Sequence, residues 1–211
     1  RGLLDLAAEG AMANPRCWAA AGIVLALGIV LTLGTSAASA EPEVTQTIVT
    51  YDISGATPAE IRASLDSNGP VDPRSKRRFD AVTRWSVRLQ YNHAMDRERC
   101  NVTTATTMVE VTTTLPRLKV TAETPAELSR AFKVYTDKLM QHEKGHGGIA
   151  VAIARRVEAA VSEHPPRLTC DELGRDVGAL ANRIIRDEGP RLDAEYDTRT
   201  QYGRAQGAIF P

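Results

Sequence analysis

Aromatic residues make up 5% of this 211-residue chain, and histidine occurs four times. A core so poor in rings has to be built mostly from Ala, Val, Leu and Ile. Neither sign of charge dominates. There are 26 basic and 26 acidic residues, for a formal net charge of zero. A basic field for nucleic acid and an acidic tail are therefore both excluded. Cysteine is scarcer still, at three, and none has a close Cys or His partner in sequence. That spacing argues against a thiolate metal site. What remains, 43% hydrophobic and 25% charged, is ordinary globular composition.

The one long apolar run is at the start. The first Met is Met12, which is expected to be the true start, with residues 1–11 upstream of it. After Met12 come a weakly basic stretch (Arg16), an apolar run centred on Ile23 to Leu33, and then Ala38-Ser39-Ala40. This is the pattern of a secretory signal peptide, with cleavage expected before Glu41. An uncleaved anchor is the alternative, because the run is nearly long enough to span a bilayer. Cys17 precedes the run and is not placed like a lipoprotein cysteine. Cleavage removes Arg1, Arg16, Asp5 and Glu9 and leaves residues 41–211 neutral, a single domain's worth of chain without a membrane span. Exported to the periplasm, cell envelope or medium, Cys100 and Cys170 are expected to form a disulfide. Closing a loop of that length stabilises by roughly 2–4 kcal/mol.

Residues 44–54 are rich in β-branched side chains and predict a strand. Thr57-Pro58-Ala59-Glu60 is a capping box that opens a short helix, ended by Asn68-Gly69-Pro70. The Pro- and Arg/Lys-rich residues 70–78 read as an exposed loop. In 83–93 strict alternation puts Trp85, Val87, Leu89, Tyr91 and His93 on one face of a half-buried strand. A polar turn over 94–99 joins it to a long Thr- and Val-rich strand over 100–115, making an antiparallel hairpin. Thr124-Pro125-Ala126-Glu127 repeats the capping sequence and predicts a long helix to about Glu163. His164-Pro165-Pro166 ends it. A further helix is expected over 170–187, broken by Gly189-Pro190, with a last turn or two over Arg191 to Tyr196.

Within the long helix lies His142-Glu143-Lys144-Gly145-His146, the pattern H-E-x-x-H. Positions i and i+4 share one helix face, so two imidazoles can hold one metal ion. Leu128, Phe132, Tyr135, Leu139, Ile149, Ile153, Val157 and Ala160 recur in steps of three and four. The same steps land on 142 and 146, which places both histidines inward. Gly145, Gly147 and Gly148 are poor helix formers and predict close approach of another backbone. The chemistry expected is zinc held by His142 and His146, with Glu143 as the general base for a zinc-activated water. The competing reading is two core histidines satisfied by hydrogen bonds.

A third ligand is needed. Ile149 and Ala152 stand where a metzincin extension would put Gly and His, so that class is excluded. Glu188, Asp193, Glu195, Asp197 and Tyr202, near the C-terminus, are the candidates.

The chain resembles the bacterial predicted secreted zinc-dependent proteases, long filed as a domain of unknown function. The resemblance rests on the signal peptide, the strand from Trp85 to Tyr91, HEKGH followed by Ile149-Ala150, the cysteines, and Tyr196-Asp197-x-x-Thr200-x-Tyr202-Gly203. Family members tend to carry His where this chain has Tyr202. If that His is the third ligand, the resemblance implies that Tyr202 replaces it; Asp197 is the other candidate, as ligand or as orienter. The expectation is an α+β, zincin-like domain, with a small, mainly antiparallel sheet packed against the long HExxH helix and C-terminal helices. The hairpin's edge strand would lie beside the metal and accept a peptide or protein substrate as an added strand. The function expected is a secreted zinc-dependent metallopeptidase. The alternative is a non-catalytic cell-envelope binding protein that keeps the fold, with or without zinc.

Overall fold

The computed structural model describes residues 41–72 and 76–210. The signal peptide expected in residues 1–40 lies outside the described residues, as does the middle of the 70–78 loop. Among the described residues no helix is long and apolar enough to cross a membrane.

The chain forms an α+β domain. Strand β1 (Glu43–Ile53) is followed by helix α1 (Pro58–Asn68), then by β2 (Val82–Asp96) and β3 (Arg99–Leu118). In α1 the capping box forms as expected, with Thr57 Oγ1 accepting from Glu60 N and Glu60 Oε2 accepting from Thr57 N. The hairpin turns at Arg97 and Glu98, both at positive φ (46° and 68°), as tight turns matched to strand twist require. Leu89, Val87 and Trp85 are buried on the predicted face of β2.

The sheet corrects the expectation of a mainly antiparallel arrangement. Its order is β1-β3-β2, with β3 central, antiparallel to β2 and parallel to β1. The path from β1 through α1 to β2 returns the chain in the direction that lets β1 dock alongside β3. Period-two alternation marks which face a residue takes but not the direction of its neighbour.

Helix α2 (Ala126–Ser162) lies across the sheet. The second capping box does not form. Pro125 occupies the cap position without a side-chain bond, and Thr124 Oγ1 accepts from Thr121 N at 3.1 Å instead, a local turn that competes with capping. Helix α3 (Cys170–Arg183) leads through a π-helical turn (Ile184–Glu188) directly into α4 (Gly189–Thr200). Gly189-Pro190 is therefore not a break. Gly189 N donates to Ile184 O across the π turn, and Pro190 sits in the first turn of α4, where a missing N–H costs little. A disulfide joins Cys100 to Cys170, pinning the far end of the hairpin to the start of α3.

Two apolar clusters flank the middle of α2. One gathers Trp85, Val87 and Leu89 with Ile153, Val157 and Leu173; the other gathers Ile61, Leu65, Phe132, Tyr135 and Leu139. The HEKGH turn lies on α2 between Leu139 of one and Ala150 of the other. Packed apolar side chains therefore flank it on both sides along the helix.

Candidate metal centre

His142 and His146 are buried, at 4% and 8% exposure, and so is Glu143 at 4%. Helix α4 crosses this turn and presents Asp193, Tyr196, Asp197 and Thr200 to it, residues spaced three and four apart on one face. The chain then turns sharply at Gln201 and Tyr202, both in the left-handed region (φ 52° and 53°). Non-glycine residues there cost about 1–2 kcal/mol each. A single 3₁₀ turn, Arg204–Gln206, returns the chain to His142.

One oxygen meets both imidazoles. Asp197 Oδ1 lies 3.3 Å from His142 Nε2 and 3.1 Å from His146 Nε2. Ligand atoms from all three residues fall within 4.8 Å of one another. Tetrahedral bonds of 2.0–2.1 Å set ligand atoms roughly 3.3 Å apart, so the spacing suits one small cation.

The opposite ring nitrogens are both bound. His142 Nδ1 donates to Gln206 Oε1 at 3.0 Å, and His146 Nδ1 donates to Asp193 Oδ1 at 2.9 Å. With Nδ1 protonated, each neutral ring turns its Nε2 lone pair toward Asp197. Three electron-pair donors converge and repel unless a proton or a metal cation lies among them. Burial disfavours the His146 imidazolium, but hydrogen bonds to Asp193 and Asp197 outweigh it and push the pKa up to about 10. Burial likewise works against the Asp197 carboxylate, and bonds from His142 and His146 overcome it, bringing that group down to about 2.

Glu143 is different. Burial raises its carboxyl above the ordinary range, with His146 and Thr83 offsetting part of the effect. Its Oε2 is buried with no hydrogen-bond partner among the described residues.

A second ring of contacts fixes the first. Tyr196 stacks on His142, ring centres 5.0 Å apart and 10° from parallel, and its hydroxyl donates to the His142 carbonyl at 3.0 Å. Gly145 makes room for it: a Cβ there would fall 2.1 Å from the Tyr196 oxygen. The approach expected at the glycine cluster is thus by a side chain rather than a backbone, and at Gly145 in particular; Gly148 faces open space. Trp85 Nε1 donates to Asp193 Oδ2 at 2.9 Å, so the sheet steers Asp193 and Asp193 steers His146. Gly189 lets the Trp85 ring lie against the start of α4, where a Cβ would come within 2.5 Å of it.

Of the other candidates, Glu188 pairs with Arg156 and Glu195 with Arg191, both away from the histidines. Tyr202 lines a cavity that also takes in His142, His146 and Asp197; it is half exposed, its ring 6.2 Å from Phe79 and below the Arg77 guanidinium. His93, Cys100 and Cys170 also lie close together, but both sulfurs are in the disulfide. From the sequence, Trp85 stands out only as a strand residue and Thr200 only as part of the family resemblance, and Gln206 not at all. The contacts that tie them to His142 or Asp193 span 58 or more residues along the chain.

Residues 48–203 match the family model described as "Bacterial protein of unknown function (DUF922)". The chain belongs to that family. The matched span contains both motif histidines, Glu143, Asp193, Asp197 and Tyr202, while Gln206 falls just beyond it. No curated protein and no solved structure matches the chain.

Proposed function

We propose that the protein is a zinc-dependent metallopeptidase with a zincin-like core, acting outside the cytoplasm. The observation that carries the reading is the convergence of two Nε2 atoms on one Asp197 oxygen, beside a buried carboxylate oxygen of Glu143 that nothing else uses. His142, His146 and Asp197 are the protein ligands. Bound there, zinc supplies Lewis acidity toward a carbonyl and a water acidified to a pKa of about 7.

The chain's own residues do the rest. Gln206 and Asp193 accept the Nδ1 protons and so keep both Nε2 lone pairs aimed inward. Glu143 would take a proton at Oε2 from the attacking water as its oxygen bonds to the scissile carbonyl carbon, and would pass it to the amine that leaves as the C–N bond breaks. Val82, Thr83 and Arg84, on the outer strand β2, line the cavity. A peptide laid along that edge gains main-chain hydrogen bonds with little sequence preference. The Cys100–Cys170 disulfide supports an oxidising destination such as the periplasm or cell envelope.

Metal analysis of the wild-type protein beside Glu143→Gln, with peptide hydrolysis on both, tests the reading. One zinc per chain in each is expected, with hydrolysis lowered by roughly 10²–10⁴ in the variant. Equal activity in the two would sink the mechanism. Zinc without hydrolysis in either would favour the non-catalytic envelope-binding role.

A further inference from the structure

The cavity beside the candidate centre, about 650 Å³, has a basic side that the chemistry at Glu143 does not explain. Arg62, Arg77, Arg78, Arg84 and Arg204 all line it. Its acids are largely committed. Glu143, Asp193 and Asp197 belong to the histidine cluster, and Asp80 accepts from both Arg62 and Tyr135. Arg78 and Arg84 donate to the main-chain carbonyls of Gly69 and Val71. Arg204 differs: among the described residues nothing accepts a hydrogen bond from its guanidinium and no acid pairs with it.

The backbone that carries Arg204 is fixed closely to the centre. Gly203 packs on His142, where a Cβ would lie 3.2 Å from the His142 Cβ, and Gln206 holds the His142 ring. Gln201, Tyr202, Gly203 and Gly207 all take positive φ to form this turn. The strain lies at Gln201 and Tyr202, since glycine takes positive φ freely. The same cavity lining includes apolar Leu139, Ala208, Phe210 and Ile209, the last 59% exposed. An exposed, unpaired guanidinium carried on a turn that is tied to His142, in a cavity that also offers the exposed Ile209 side chain, suits a peptide segment that carries a carboxylate beside an apolar side chain.

Building on the metallopeptidase reading, we propose that Arg204 binds a carboxylate of the peptide substrate. The adjacent apolar side chain rests on Ile209 and Phe210, and together they set which bond lies over His142, His146 and Asp197. The carboxylate comes either from the free C-terminus of the peptide or from an acidic side chain. Both are read by the same guanidinium fork.

Binding, measured calorimetrically on the Glu143→Gln chain with and without zinc, tests this without turnover. Two pairs of probes are used: acetyl-Ala-Ala-Phe as free acid and as amide, and acetyl-Glu-Phe amide beside acetyl-Gln-Phe amide. The charged member of one pair is expected to bind roughly tenfold more tightly than its neutral partner, and that pair identifies the source of the carboxylate. Adding Arg204→Gln should erase the difference while zinc stoichiometry stays the same, and Arg204→Lys should restore part of it. In the active enzyme, Arg204→Gln should lower kcat/KM for the charged substrate and leave that for its neutral partner little changed. Equal affinity within both pairs, a preference that survives Arg204→Gln, or no measurable binding of any probe overturns the proposal. Selective binding without hydrolysis by the wild-type protein defeats the peptidase reading and leaves this one standing. Hydrolysis with no charge preference does the reverse.

Discussion

Asp193 shows how much of a site can rest on a residue that touches neither reacting group. Its two oxygens take hydrogen bonds from Trp85 and from His146, which joins the sheet to one imidazole. Removing both acceptors frees the His146 ring to rotate and to change tautomer. Asp193→Ala should therefore weaken zinc binding by roughly 10- to 100-fold, read by competition with a chromophoric chelator. An unchanged affinity would mean that the orientation of His146 is set elsewhere. At this scale the sequence was partly legible. His142, Glu143 and His146 were readable because local spacing alone puts them on one helix face. Asp197 was readable as a candidate only, one acid among several. Gln206 was not readable, since nothing in its neighbourhood distinguishes it from a surface glutamine until the turn at Gln201 and Tyr202 swings it back to His142.

Among the elements, α2 and α4 matter most, and their crossing decides the site. Helix α2 supplies two imidazoles and a carboxylate from one turn, and α4 supplies Asp193, Tyr196, Asp197 and Thr200 from the facing side. Two glycines permit this contact. Gly145 admits the Tyr196 ring, and Gly189 admits Trp85. Gly189→Ala should force the Trp85 ring away from α4, because the new methyl would sit 2.5 Å from it. Overpacking of this kind typically costs 1–3 kcal/mol. The expected outcome is a lower urea midpoint together with weaker zinc binding, since Trp85 also holds Asp193. A drop in stability with zinc affinity intact would uncouple the two. Propensity alone predicts a helix break at Gly189-Pro190. Tertiary packing overrode it: the π turn absorbs the extra residue, and the glycine is there for the indole.

For the whole molecule, the long-range ties are the disulfide, the central position of β3 and the two apolar clusters on either side of HEKGH. The bond between Cys100 and Cys170 closes a separation of 70 residues. Replacing both cysteines by Ser should lower stability by roughly 2–4 kcal/mol, seen as a fall in Tm. Zinc stoichiometry should be unchanged, because Cys100 and Cys170 take no part in the histidine cluster. Loss of zinc along with the disulfide would show that the hairpin end and the centre are not independent. By itself the sequence determined the strands and the helices α1 and α2, the inward face of α2, the H-E-x-x-H turn and the pairing of the two cysteines. Each of these depends on local periodicity, on helical spacing or on a count. The tertiary structure alone decided that β1 runs parallel to β3, that α4 follows α3 without a break, and that Asp197 rather than Glu188 or Glu195 faces both imidazoles. Those outcomes depend on how distant segments pack. Packing is settled by shape and by buried hydrogen bonds between residues that no local pattern connects.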